Sequence, residues 1–168
     1  DVADLEVRKK KKNYADARVL RFHERGPDYI QPFCQHFEYC GGCKWQQLTY
    51  SAQLKMKQSL VTELLHNIGK VDLPEIMPIL GSENTTAYRN KIEYSFTHRK
   101  WVPDLAQLDT EEHRAAGYHI SGRFDKVLEI KTCFLQDGLG NAIRDFITAF
   151  ALEHNFTFFN LRDQSIDW

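Results

Sequence analysis

Apolar and polar residues alternate, or cluster at helical spacing, in a succession of short segments separated by turns. Residues 2–8 and 14–22 predict two strands joined by a lysine-rich turn; the second, Tyr14 to Phe22, is rich in strand formers. Two strands bury too little to stand alone, so the hairpin is expected to need partners, as though the chain began partway through a small barrel. Gly26-Pro27-Asp28 marks the exit turn. A helix is predicted over 50–68, with Leu54, Val61, Leu64, Leu65 and Ile68 on one face and Gly69 as its stop. Residues 71–86, with Pro74, Pro78 and Gly81, read as irregular. The clearest strand follows, where Tyr88, Asn90, Ile92, Tyr94 and Phe96 alternate with Arg89, Lys91, Glu93, Ser95 and Thr97. The polar stretch 98–115 predicts an exposed hairpin loop or insertion. Strands near 116–120 and 126–131 flank the turn Ser121-Gly122-Arg123. Leu139, Ile143, Phe146, Ile147 and Phe150 then repeat at helical spacing, predicting a helix over 139–154 and a last strand over 156–161. This order gives an α+β fold.

Composition narrows the class. The chain has 168 residues, 42% hydrophobic and 27% charged, which suits one soluble domain or one domain plus part of another. No apolar run approaches the roughly 18–20 residues of a membrane span, and the N-terminus lacks a signal-peptide pattern. A cytoplasmic chain with no membrane association is therefore expected. The net charge of −1 argues against a general nucleic-acid binder, yet the charge is uneven. Residues 1–60 hold 11 Lys and Arg against 7 Asp and Glu, and Lys9, Lys10, Lys11 and Lys12 lie in one run. Such a run is either a solvated hairpin tip or a phosphate contact.

Four cysteines are too few for a disulfide scaffold. Three of them, Cys34, Cys40 and Cys43, follow a C-x5-C-x2-C spacing, and Cys133 stands just past a predicted strand. Three thiolates in one loop can hold three corners of a four-iron cluster, with a remote fourth closing the last. Gly41 and Gly42 are expected to turn the loop sharply. Structural zinc is the rival, although four-cysteine zinc sites usually come as two C-x2-C pairs; four unrelated, partly buried cysteines is the third reading. His36, inside the loop, is a competing ligand or, in the simpler reading, an ordinary hydrogen-bonding residue. The C-x3-C-x2-C of radical enzymes is not matched.

The stretch from Pro32-Phe33-Cys34 through Cys40-Gly41-Gly42-Cys43-Lys44-Trp45-Gln46-Gln47-Leu48 resembles the RNA (uracil-5-)-methyltransferases that use S-adenosylmethionine, and most of all their iron–sulfur branch acting on 23S ribosomal RNA. The resemblance continues at Tyr88-Arg89-Asn90-Lys91-Ile92-Glu93, at Gly117-Tyr118-His119, at Gly122-Arg123-Phe124 and at Val127-Leu128-Glu129-Ile130 before Cys133. It implies that residues 1–30 are the closing strands of a TRAM-like, OB-like β-barrel. It also implies that 31–168 form a central iron–sulfur and RNA-binding domain, incomplete at its C-terminus. The implied cofactor is a 4Fe-4S cluster on Cys34, Cys40, Cys43 and Cys133. The implied partner is RNA, ribosomal before transfer RNA, with no obligate protein partner. Candidate RNA contacts are Lys9, Lys10, Lys11, Lys12, Arg89 and Lys91 for phosphates, with a solvated or salt-bridged role as the equal alternative for Arg89 and Lys91. Phe37 and Trp45 are candidates for stacking bases, with burial against the core as their simpler reading.

Methyl transfer in the family needs a cysteine nucleophile, a base and a cofactor domain. No Gly-rich strand-to-helix turn occurs here, and none of the four cysteines matches the nucleophile. The expectation is a fragment, abrupt at both ends, that neither binds S-adenosylmethionine nor catalyses; the alternative is a stand-alone zinc or iron–sulfur RNA-binding module.

Overall fold

A computed structural model describes residues 1–104, 106 and 112–160. These fall into two compact units. One comprises Asp1–Gln31 with Gln47–Met77; the other comprises Pro32–Gln46 with the described residues from Pro78 onward.

The first unit holds the predicted hairpin and helix. Strands β1 (Val2–Lys10) and β2 (Ala15–Glu24) pair antiparallel, with three register irregularities that twist the ribbon. The Lys11 amide donates to the Tyr14 carbonyl to close the turn, so Lys9 and Lys10 lie on β1 and Lys11 and Lys12 at the tip. Both faces of the ribbon are exposed, including Leu5, Val7, Leu20 and Phe22. Helix α1 (Tyr50–Glu63) starts where the Thr49 hydroxyl accepts from the Ala52 amide, an N-cap of the usual kind. It relaxes into a π-helical turn, Leu64–Ile68. Gly69 does not act as a left-handed stop: its φ is −68°, and Lys70 takes the positive φ of 48° instead. The predicted apolar face is not a buried one, because Val61, Leu64 and Ile68 are exposed and Ala52 alone is fully covered.

The second unit is a small mixed sheet with a helix. Strands β3 (Ser95–Thr97), β4 (Lys100–Trp101), β5 (Ala115–His119) and β6 (Val127–Glu129) lie in the order β3-β5-β6-β4. β5 pairs antiparallel with β3 and β6, and β4 runs parallel to β6. The long strand expected over 88–97 is thus only three residues of ladder. Alternation survives upstream, with Ile92 and Tyr94 half-buried beside exposed Lys91 and Glu93. Ladder bonds need a partner strand, however, and in that stretch the Ala87 and Arg89 amides donate to the carbonyls of Phe134 and Leu135 in a loop. The stretch 98–115, expected to be loop, contributes β4; residues 105 and 107–111 of it lie outside the described residues. Of the strand expected over 156–161, the described residues show bridge pairing at Phe159, to Thr97, and at Asn160, with 161 outside the described residues.

Helix α2 (Gly138–Glu153) is capped by the Asp137 carboxylate, which accepts from the Gly140 amide. Its predicted apolar positions are solvent-facing, with Phe146 70% exposed, whereas Arg144 is only 4% exposed. The core gathers Leu128, Ile130, Cys133 and Leu135, with Ile92, Tyr94, Trp101, Tyr118 and Ile120 packed around them.

Arg114 ties the start of β5 to the end of α2. Its guanidinium donates to the Glu112 carboxylate at 2.7–3.1 Å, to the Phe156 carbonyl at 3.0 Å and to Asn155 Oδ1 at 3.2 Å. Hydrogen bonding from Arg114 pulls the Glu112 carboxyl down to about 2. A depressed carboxyl stabilises the fold above its unfolded range and loses that contribution as the folded group protonates. Arg114→Ala is expected to cost about 1.5 kcal/mol in denaturant unfolding at neutral pH. The gap between wild type and Glu112→Gln should be full above the ordinary glutamate range and close as pH falls towards about 2.

Candidate metal centre

The cysteine loop is short and built from backbone hydrogen bonds. The Phe37 amide donates to the Cys34 carbonyl, and the Tyr39 and Cys40 amides both donate to the His36 carbonyl, forming a tight turn. The Gln46 side-chain oxygen accepts from the Cys34 amide at 3.3 Å, closing the base of the loop. Two further bonds attach the loop to the β5–β6 hairpin: Gly41 N–H to the His119 carbonyl at 3.0 Å, and Ser121 N–H to the Tyr39 carbonyl at 3.1 Å. Gly41 and Gly42 lie in a turn, as expected of them, and they make it without a left-handed residue, since Gly122 is the positive-φ glycine among the described residues. Gly41 also allows close approach: a Cβ there would stand 2.8 Å from the His119 oxygen. Gly42 has ordinary room, with the Cys40 sulfur 3.4 Å from such a Cβ.

Cys133 reaches the same place from the far side of the chain. It is held by Asn141 on α2, whose Oδ1 accepts from the Cys133 amide at 2.8 Å and whose Nδ2 donates to the Cys133 carbonyl at 3.0 Å. This amide serves the backbone as a neighbouring strand would. Arg144 reinforces it, donating to Asn141 Oδ1 at 3.0 Å and to the Lys131 carbonyl at 2.7 Å. His36 completes the frame. Its Nε2 accepts from the Lys131 amide at 3.0 Å, which places its own proton on Nδ1, and burial together with Lys131 and Arg144 lowers its pKa. His36 is therefore a neutral, hydrogen-bonded support, as its simpler reading expected. Asn141 and Arg144 were not singled out in the sequence; an Arg inside an apolar helical repeat is the signal that points to them.

Cys34, Cys40, Cys43 and Cys133 line one pocket, together with His36, Phe37, Gln46, Tyr118 and Ile130. The free space between them is about 20 Å³, room for about one water. Among the described residues, no three His, Cys, Asp or Glu side chains stand close enough to hold a metal ion. All four cysteines are free thiols. Burial raises the pKa of Cys34 and Cys43 and pushes Cys40 up to about 11, and the neighbouring thiols raise each further. Four thiolates cannot share this pocket without a cation to compensate them.

The proposed RNA contacts are scattered. Phe37 lines the cysteine pocket and is half-buried, as is Trp45. Arg89 and Lys91 are exposed, and Lys91 is engaged by Glu93. Lys9, Lys10, Lys11 and Lys12 are exposed in the other unit.

The glycine geometry gives a sharp contrast. Gly41→Ala should cost about 1–3 kcal/mol and speed the reaction of Cys40 with a thiol reagent, because the loop must move off β5. Gly42→Ala should be nearly neutral in both measurements.

No protein-family model matches the chain. A protein of Bacteroides thetaiotaomicron named an uncharacterized RNA methyltransferase is 48% identical over 98% of this chain. Proteins of the same name from Porphyromonas gingivalis and Chlorobaculum tepidum are 40% and 35% identical over 98% and 91% of it. The chain spans only 37%, 37% and 32% of these three relatives. Over about a third of their length, the chain is thus similar to proteins named RNA methyltransferases.

Proposed function

We propose that this chain is the RNA-holding, cluster-bearing part of an RNA methyltransferase that acts on uracil C5, with 23S ribosomal RNA as the favoured substrate. The observation that carries this reading is the convergence of four cysteines, 34, 40, 43 and 133, on one pocket of a chain whose relatives are named uncharacterized RNA methyltransferases. In this reading residues 1–30 are the closing strands of a TRAM-like barrel, and 31–168 are the central domain. Cofactor binding and the nucleophile belong to the part of the protein outside this chain.

By its chemistry the donor set suits an iron–sulfur cluster, although the thiols would have to draw together around it, since no three of them stand close enough here to share an ion. The set offers four thiols, with no carboxylate among the pocket's lining residues, and a spacing of one loop triplet plus one distant cysteine. Cys34, Cys40, Cys43 and Cys133 would hold it. A cluster bound there supplies a rigid cross-link and a charge for the thiolates, since four cysteines leave no iron open to substrate. The chain's own work is positional. Asn141 and Arg144 fix Cys133, and His36 fixes the segment before it. The hairpin lysines and Arg89 offer phosphate contacts, and Phe37 and Trp45 offer aromatic faces beside the loop.

Anaerobic preparation should yield brown protein with iron and acid-labile sulfide in equal amounts, and Cys133→Ser should abolish the colour. Stoichiometric zinc without sulfide would move the reading to the four-cysteine zinc site. In RNA binding, replacing Lys9, Lys10, Lys11 and Lys12 together by alanine should weaken affinity for all RNAs alike and lower the salt dependence. Unchanged affinity would return the run to a solvated tip.

A further inference from the structure

Beside the cysteine loop lies a second, larger opening, a cleft of about 520 Å³ within the second unit. Its walls are Gly41, Gly42 and Lys44 from the loop, and Tyr118 to Phe124 from β5 and the turn that follows. No carboxylate lines it, whereas Lys44 and Arg123 do, and neither makes an ion pair among the described residues. By contrast Arg99, Lys100, Arg114 and Arg144 are all paired with acids. Two unpaired cations in an acid-free cleft are a site for an anion.

The aromatic wall is equally distinctive. Phe124 is 77% exposed, and its ring meets no other ring or cation among the described residues. A bare Phe at the mouth of a basic cleft offers a π-face to a base while the cations hold the chain's phosphates, the combination by which unpaired nucleic acid is gripped. Gly122 lets the turn carry these side chains, since its φ of 77° is one that other residues rarely adopt. The Ser121 amide bonded to Tyr39 and the Gly41 amide bonded to His119 hold the two walls together. The cleft's size falls within the range of small-ligand sites, about 300–1,000 Å³.

From this geometry we propose that the cleft between the cysteine loop and the β5–β6 turn holds one unpaired nucleotide of the RNA, its base stacked on Phe124 and its flanking phosphates on Lys44 and Arg123. The inference rests on the reading of the chain as RNA-holding and assigns to it a site distinct from the residues named there.

The test uses the 168-residue chain and a fluorescein-labelled RNA hairpin with a uridine-rich loop, followed by anisotropy across a salt series. Phe124→Ala should weaken binding by between about 5-fold and 100-fold with the salt slope unchanged. Phe124→Trp should restore it. Lys44→Ala and Arg123→Ala should each lower the logarithmic salt slope by about 0.7, the share of one single-stranded phosphate. Because all three side chains are exposed, unfolding midpoints should not move. Tight binding by wild type that is indifferent to all three substitutions would overturn the cleft and leave the RNA reading standing. Absence of binding by wild type itself would overturn the RNA reading, and the cleft with it.

Discussion

The Gly41 amide lies 3.0 Å from the His119 carbonyl, and the second unit's functional surface is organised by that approach. It brings the cysteine loop against β5 at a distance that excludes any side chain at position 41. From this one contact follow the placement of Cys40 beside Ile120, the closing of the thiol pocket on one side, and the shaping of the basic cleft on the other. The bond itself contributes only about 1 kcal/mol. Its importance is geometric, because a loop of three cysteines has no core of its own and takes its position from the sheet it touches.

The opposite wall relies on a different device. Cys133 follows β6, where the chain has left the sheet and its backbone groups have lost their ladder partners. The Asn141 side chain replaces that ladder with one donor and one acceptor. Buried backbone groups left unpaired would cost about 1–3 kcal/mol each. Arg144 then occupies the inner side of α2, where an apolar residue is the ordinary choice, and saturates the Lys131 carbonyl. A helix with its arginine inside and its phenylalanines outside is the physical signature of that substitution.

The elements with local causes were legible in the sequence. The β1–β2 hairpin, α1, the β5–β6 hairpin and α2 each follow from periodicity, a cap or a turn residue. What was not legible depends on distant partners. Lys100 and Trp101 form a strand only because β6 lies beside them, and two residues in a polar stretch carry no period. Tyr88 to Tyr94 alternate as a strand does, yet the amides of Ala87 and Arg89 bond to a loop. At the site, the cysteines were legible from their spacing, and His36 from its position. Asn141, Arg144 and the cleft residues Lys44, Arg123 and Phe124 were not, because their roles come from the sheet and helix that bring them together.

Gly42 and Tyr118 line both the thiol pocket and the basic cleft. A partition one residue thick has no independent interior, so its two faces cannot drift apart in evolution. A larger residue at 42 selected for one cavity would be tried at once against the other, and the ring of Tyr118 can be reshaped for neither alone. Variation among the relatives should therefore gather at the outer rims, around Arg123 and Phe124 on one side and Phe37 on the other, and at position 42 stay among the smallest side chains, while the ring of Tyr118 stays fixed.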